Sequence, residues 1–176
     1  MTLRYFVLTV NYRKPLDFTE ESLKSAAEAW KNINIALSLV DISKGSEISF
    51  NLNEQNELIE EKYKKTVCNE ISQKKQKFAD SLSNDLNTAG AIAVIYELAK
   101  PLKNFINQFQ RLNCIEINTN EKFFLLENFK TLKELTEVLG LKKEDLLIES
   151  KIEEEEILSL INERLEAKKI KNYKKA

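Results

Sequence analysis

The sequence contains no histidine, and only 3 glycines, 2 prolines and 2 cysteines in 176 residues. Without histidine, a Ser-His or Cys-His nucleophilic pair cannot be built. Two cysteines and no histidine also fall short of a usual four-ligand zinc site. Cys68 and Cys114 lie far apart, so no disulfide framework is expected and a reducing, cytoplasmic setting is the default. Gly45, Gly90 and Gly140 are isolated, which leaves neither a P-loop nor a dinucleotide fingerprint. No apolar run approaches the roughly 20 residues that span a bilayer, so no membrane role is expected. The opening Met1 to Leu8 is too short, and too polar afterwards, for a secretory signal. The formal net charge is -1. No global basic field draws the chain to nucleic acid, so any such binding must use a local patch.

What remains is helical. Hydrophobic residues make up 43% and charged residues 31%, enough for a sizeable core under a charged surface. Leu3, Phe6, Val7 and Val10 recur at helical spacing, and this helix is expected to stop near Arg13, because Lys14 precedes Pro15. A strand is the alternative there. Thr19 reads as an N-cap, with Phe18 and Leu23 as a hydrophobic staple. Leu23, Ala26, Ala27, Trp30, Ile33, Leu37 and Val40 form one stripe, closed at Lys44-Gly45. Residues 45–53 read as a loop. A third helix is expected from about Glu54 to Ser81, with Ile59, Tyr63, Val67, Ile71, Phe78 and Leu82 on one side and Lys62, Lys64, Lys65, Lys74, Lys75 and Lys77 on the other.

Asn87 caps a fourth pattern carrying Ile92, Ile95, Leu98, Leu102, Phe105, Ile106 and Phe109, in which Pro101 is expected to make a kink. After a loop from Asn113 to Asn120, Leu125, Phe129, Leu132, Leu135 and Leu139 mark a fifth helix that Gly140 ends. Residues 142–152 form a charged connector. Glu153 to Lys175 reads as a trailing helix, acidic at its start and basic at its end, as the helix dipole favours. The expected fold is all-α, an up-and-down bundle of about five helices plus a trailing C-terminal helix.

Four stretches, in order, resemble cysteinyl-tRNA synthetases. Leu3-Arg4-Tyr5-Phe6-Val7-Leu8-Thr9-Val10-Asn11-Tyr12-Arg13-Lys14-Pro15-Leu16-Asp17-Phe18-Thr19 is similar to the segment after that family's catalytic signature loop. Phe78 to Thr88, ending Asp85-Leu86-Asn87-Thr88, resembles its acidic Asp-Phe/Leu-Asn-Thr entry into a bundle helix. Leu132 to Leu141 is similar to its Leu-x-x-Val-Leu-Gly-Leu ending, and Ile157 to Ala176 to its basic final helix. The family often has His, Ser and Pro where this chain has Asn11, Lys14 and Ala89. Residues from about Gly45 to Lys77 match only loosely.

The resemblance implies an anticodon-binding helical domain of the class I, DALR type, with residues 1–141 as the bundle, 1–16 as a linker helix, and 142–176 as a connector and the start of an appendage. It implies tRNA-Cys and the catalytic half of the synthetase as partners. The His-Ile-Gly-His and Lys-Met-Ser-Lys-Ser motifs and the zinc site are missing, so ATP and zinc are expected only in that catalytic half, and this chain alone is expected to be non-catalytic. The alternative is a helical protein-interaction module that has lost RNA binding. As phosphate contacts, the candidates are Arg13 and Lys14 beside Pro15, and Arg164, Lys168, Lys169 and Lys171 on the trailing helix. Trp30 reads as core, with base stacking as the other reading. The Lys62 to Lys77 cluster, interleaved with Glu60, Glu61 and Glu70, reads as a solvated face.

Overall fold

Thr19 starts the first long helix with its own side chain. Its hydroxyl oxygen accepts the Ser22 N–H at 3.1 Å, and the Ser22 hydroxyl oxygen accepts the Thr19 N–H at 3.1 Å. Two donors without partners at the helix start are thereby satisfied reciprocally. The computed structural model describes residues 1–42, 59–112 and 117–144. These hold α1 (Thr2–Leu8), α2 (Glu20–Leu37), α3 (Leu39–Ile42), α4 (Glu61–Ser83), α5 (Thr88–Leu112) and α6 (Thr119–Val138). There is no strand among the described residues, and the fold class is all-α as expected. The loop at residues 45–53, the start of the third helix, the Lys44-Gly45 stop, Cys114 and the trailing helix with its basic end lie wholly or partly outside the described residues.

Where local chemistry competes with the helix, boundaries depart from periodicity. α1 stops at Leu8 rather than near Arg13. The Thr9 hydroxyl donates to the Phe6 carbonyl at 2.7 Å, and Asn11 organises the next turn, accepting the Lys14 N–H on its carbonyl and the Arg13 N–H on its side chain, both at 2.9 Å. Thr and Asn side chains offer the backbone such alternatives. The buried side of α1 is Tyr5 and Phe6, whereas Leu3 and Val7 are exposed. The Phe18 ring meets Phe6 of α1 edge-on at 5.8 Å. α2 ends at Leu37, where the Ser38 hydroxyl turns back to the Asn34 carbonyl at 2.9 Å.

The later boundaries follow their caps. The Asn87 side chain accepts the Gly90 N–H at 3.0 Å, and the Asn118 side chain accepts the Glu121 N–H at 2.8 Å, starting α6 two residues earlier than read from the pattern. α5 runs through Pro101 without a break. Gly140 takes φ +66°. Its N–H reaches the Glu137 carbonyl at 2.9 Å and the Leu141 N–H reaches Thr136 at 2.8 Å, the paired bonds of a Schellman ending.

α5 is the hub: it packs on α2, α4 and α6, and more lightly on α1 and α3. Ile33, Leu98, Leu102 and Leu132 are shielded completely, each contributing roughly 1.5–3 kcal/mol over an exposed position. Two lysines of the expected solvated face instead tie α4 to α6. Lys74 donates to the buried Asn128 side chain at 3.3 Å, and Lys75 pairs with Glu134 at 2.5 Å.

Trp30 is core, 3% exposed, with its ring 6.3 Å from that of Tyr5. Its indole N–H donates to Glu144 at 2.8 Å, and the other Glu144 oxygen accepts the Met1 ammonium at 2.7 Å. Asn34 adds two bonds to the Glu144 backbone, at 2.9 and 3.0 Å. The bond from the Met1 ammonium, foremost, holds the Glu144 carboxyl below its ordinary value; burial opposes it, and the indole bond adds a lesser lowering. Trp30→Ala is expected to destabilise by roughly 3–5 kcal/mol, read as a fall in thermal midpoint. A depressed carboxyl contributes stability that is present above its unfolded value and is lost as pH falls through the folded one. Glu144→Gln is therefore expected to lower the melting temperature at pH 7. The two proteins should converge as pH falls below about 4.5; a gap that stays constant into acid would remove the charge from this account.

Candidate nucleic-acid interface

The turn between α4 and α5 carries the most strained backbone described. Asp85 and Leu86 have φ of 53° and 50°, although neither is glycine. Left-handed residues with a Cβ cost about 1–2 kcal/mol each and are held only where the surroundings fix them. Here the surroundings do so. The Leu86 N–H reaches Leu82 at 3.2 Å, the Asn87 N–H reaches Ser81 at 3.0 Å, and the Thr88 N–H reaches Leu86 at 2.7 Å. Gly90 allows the two helices to close on this turn: a Cβ there would stand 2.9 Å from both the Asn87 side chain and the Ser81 hydroxyl.

The turn thrusts Asp85 at the segment between α1 and α2. One Asp85 oxygen accepts from the Arg13 guanidinium at 2.7 Å and from the Tyr12 hydroxyl at 2.8 Å. Arg13 also donates through Nε to the Tyr12 oxygen at 2.9 Å, and its guanidinium carbon lies 5.3 Å from the Tyr12 ring centre. The Arg13 and Asp85 side chains are 66% and 44% exposed, so the pair contributes about 0–1 kcal/mol. Its effect is to aim groups rather than to stabilise the fold. Behind it opens a groove of about 550 Å³ lined by Thr9, Val10, Asn11, Lys14, Asn84, Asp85, Asn87 and Ala89. Three amides and one ammonium give it donors for an anionic or polar ligand, while Asp85 opposes a phosphate unless Arg13 screens it.

Of the residues singled out in the sequence, Arg13 and Lys14 sit together here, both exposed. Arg13 is engaged by Asp85, whereas the Lys14 side chain has no ion pair among the described residues. Arg164, Lys168, Lys169 and Lys171 lie outside the described residues. Tyr12 and Asp85 complete the cluster. Both fall within the family-like stretches, which is the signal that marks them, though nothing in the sequence pairs them. Lys62, Lys64, Lys65 and Lys77 are exposed on α4. Among the described residues no group of three or more Cys, Asp or Glu stands together that could hold a metal ion. No described helix is long and apolar enough to cross a membrane.

Residues 77–143 match the DALR domain model. The whole chain is 70% identical, over 176 residues, to a cysteine–tRNA ligase of Prochlorococcus marinus subsp. pastoris, covering 36% of that protein. It is 71% identical to one from Prochlorococcus marinus strain AS9601, covering 35%. A cysteine–tRNA ligase of Synechococcus sp. strain WH7803 is 36% identical over 181 aligned positions, again with all of this chain and 36% of the relative covered. The chain thus spans about a third of the length of the curated relatives it matches.

The backbone of the turn is testable by itself. Leu86 is 58% exposed, so Leu86→Gly removes little packing and relieves the left-handed conformation. Net of glycine's larger unfolded-state entropy, a gain of about 0.5–1 kcal/mol is expected, a rise of a few degrees in melting temperature. A fall would mean that the Leu86 side chain, not the turn geometry, matters for stability.

Proposed function

Because this chain corresponds over its whole length to C-terminal regions of cysteine–tRNA ligases and carries a DALR domain, we propose that it is a tRNA-binding, anticodon-arm module. It holds tRNA-Cys for ATP-dependent cysteinylation by a catalytic half that supplies the ATP and zinc chemistry, in the cytoplasm. The observation that carries this reading is the 70% identity across all 176 residues. The all-helical architecture supports it: rigid helices present cations at fixed spacing, and such groups grip phosphates without reading base edges. With a net charge of -1, the grip is local. Arg13 and Lys14, with Arg164, Lys168, Lys169 and Lys171 on the final segment, are the groups proposed to supply it.

The test is a titration of the chain with cysteine tRNA at two salt concentrations. Each phosphate contact contributes about 0.9 to the slope of log affinity against log salt. Reversing Arg13 and Lys14 to Glu, or Lys168 and Lys169 to Glu, is expected to weaken binding and flatten that slope. A tRNA with a substituted anticodon is expected to bind within roughly 10-fold of the natural one, about 1.4 kcal/mol. Titrations unchanged in both double variants would reject these contacts, and absent binding of the unaltered chain at low salt would reject the function.

A further inference from the structure

A separate groove of about 300 Å³ lies between α2 and α5, lined by Asn32, Tyr96, Ala99, Lys100, Lys103 and Asn104. Its polar groups form one directed chain. The Tyr96 hydroxyl gives its only hydrogen to the Ala29 carbonyl at 3.2 Å. It can then only accept from Asn32, whose Nδ2 lies 3.4 Å away. That contact fixes the Asn32 amide with its oxygen towards Lys103, where Oδ1 accepts from Nζ at 2.6 Å. The partner that orients Lys103 is therefore neutral. An ammonium has three donors; after Asn32 two remain, and Lys103 makes no ion pair among the described residues.

Lys100 stands beside it, one turn away across Pro101, exposed and with no ion pair among the described residues. Asn104 adds an exposed amide on the same wall. Glu97, one turn before Lys100, does not line the groove and makes no ion pair among the described residues. This absence of acid distinguishes the groove from two others. The groove beside Lys14 contains Asp85, and the cavity against α6 contains Asp41 and Glu137.

Two cations, an oriented amide and no carboxylate are the groups that contact a sugar–phosphate backbone. Such a pair holds a free anion weakly. On a polyanion already held elsewhere it acts at high effective concentration. We propose that the α2–α5 groove of Asn32, Tyr96, Lys100, Lys103 and Asn104 is a second contact for an RNA sugar–phosphate backbone. The proposal rests on the tRNA-binding reading above and adds a surface to it that lies apart from Arg13 and Lys14.

Two variants of the full chain test it, each titrated with cysteine tRNA across a salt series. Lys100→Gln removes an exposed, unpaired charge, so its melting temperature should match the unaltered chain. Asn32→Asp leaves both lysines in place but gives Lys103 an internal carboxylate. Each is expected to weaken binding roughly 3- to 10-fold and to lower the salt slope by about 0.9. If the unaltered chain binds and both variants match it in affinity and slope, the groove is not a contact, and the tRNA reading stands without it. If the unaltered chain does not bind, the tRNA reading fails and the groove falls with it.

Discussion

One helix must hide apolar surface on several sides at once, and the rest of the unit is arranged to let it. On α5, Ala91, Ile92, Val94, Ile95, Leu98, Ala99, Leu102 and Ile106 are all buried. That arc is wider than a single amphipathic stripe. α2, α4 and α6 each cover part of it. Their own buried residues, such as Ile33, Val67 and Leu132, are set where α5 needs them. Polar ties reinforce this packing, among them Lys74 to Asn128, Lys75 to Glu134, Asn34 to Glu144 and, onto α5 itself, Tyr96 to Ala29 and Lys103 to Asn32. They select one arrangement of helices that hydrophobic burial alone would leave loosely defined.

The strained turn at Asp85 and Leu86 follows from that packing. α4 and α5 lie against each other and are joined by only four residues, Asn84 to Asn87. Two left-handed residues close the connection where glycine would be easier. The same closure brings Asp85 to Arg13 from 72 positions away. A candidate binding groove and a packing constraint thus share one piece of backbone.

Features encoded within one helical turn were legible in the sequence. Thr19, Asn87 and Gly140 were readable as helix punctuation because a cap acts through neighbours three or four residues away. Trp30 was readable as core because it falls on a regular stripe. The end of α1 was not, since Thr9 and Asn11 redirect the backbone well before Pro15 does. Nor was its buried face: Tyr5 and Phe6 turn inward because α2 lies beside them, and a seven-residue helix is too short for periodicity to choose a side. At the site, Arg13 and Lys14 stood out as cations beside a proline. The partners that aim Arg13 and Lys103 did not, because Asp85 and Asn32 reach them across 72 and 71 positions.

The pairing of the Met1 ammonium with Glu144 at 2.7 Å has a topological consequence. Residues 1 and 144 of the unit Met1–Glu144 are therefore spatial neighbours, like the two sides of a loop drawn shut at the neck. A unit with adjacent ends behaves as a cassette: spliced into a surface loop of a host protein, it leaves the host's two cut ends as close as they were before. The same adjacency makes a circular permutant geometrically simple, since only a short bridge is needed to join residue 144 back to residue 1.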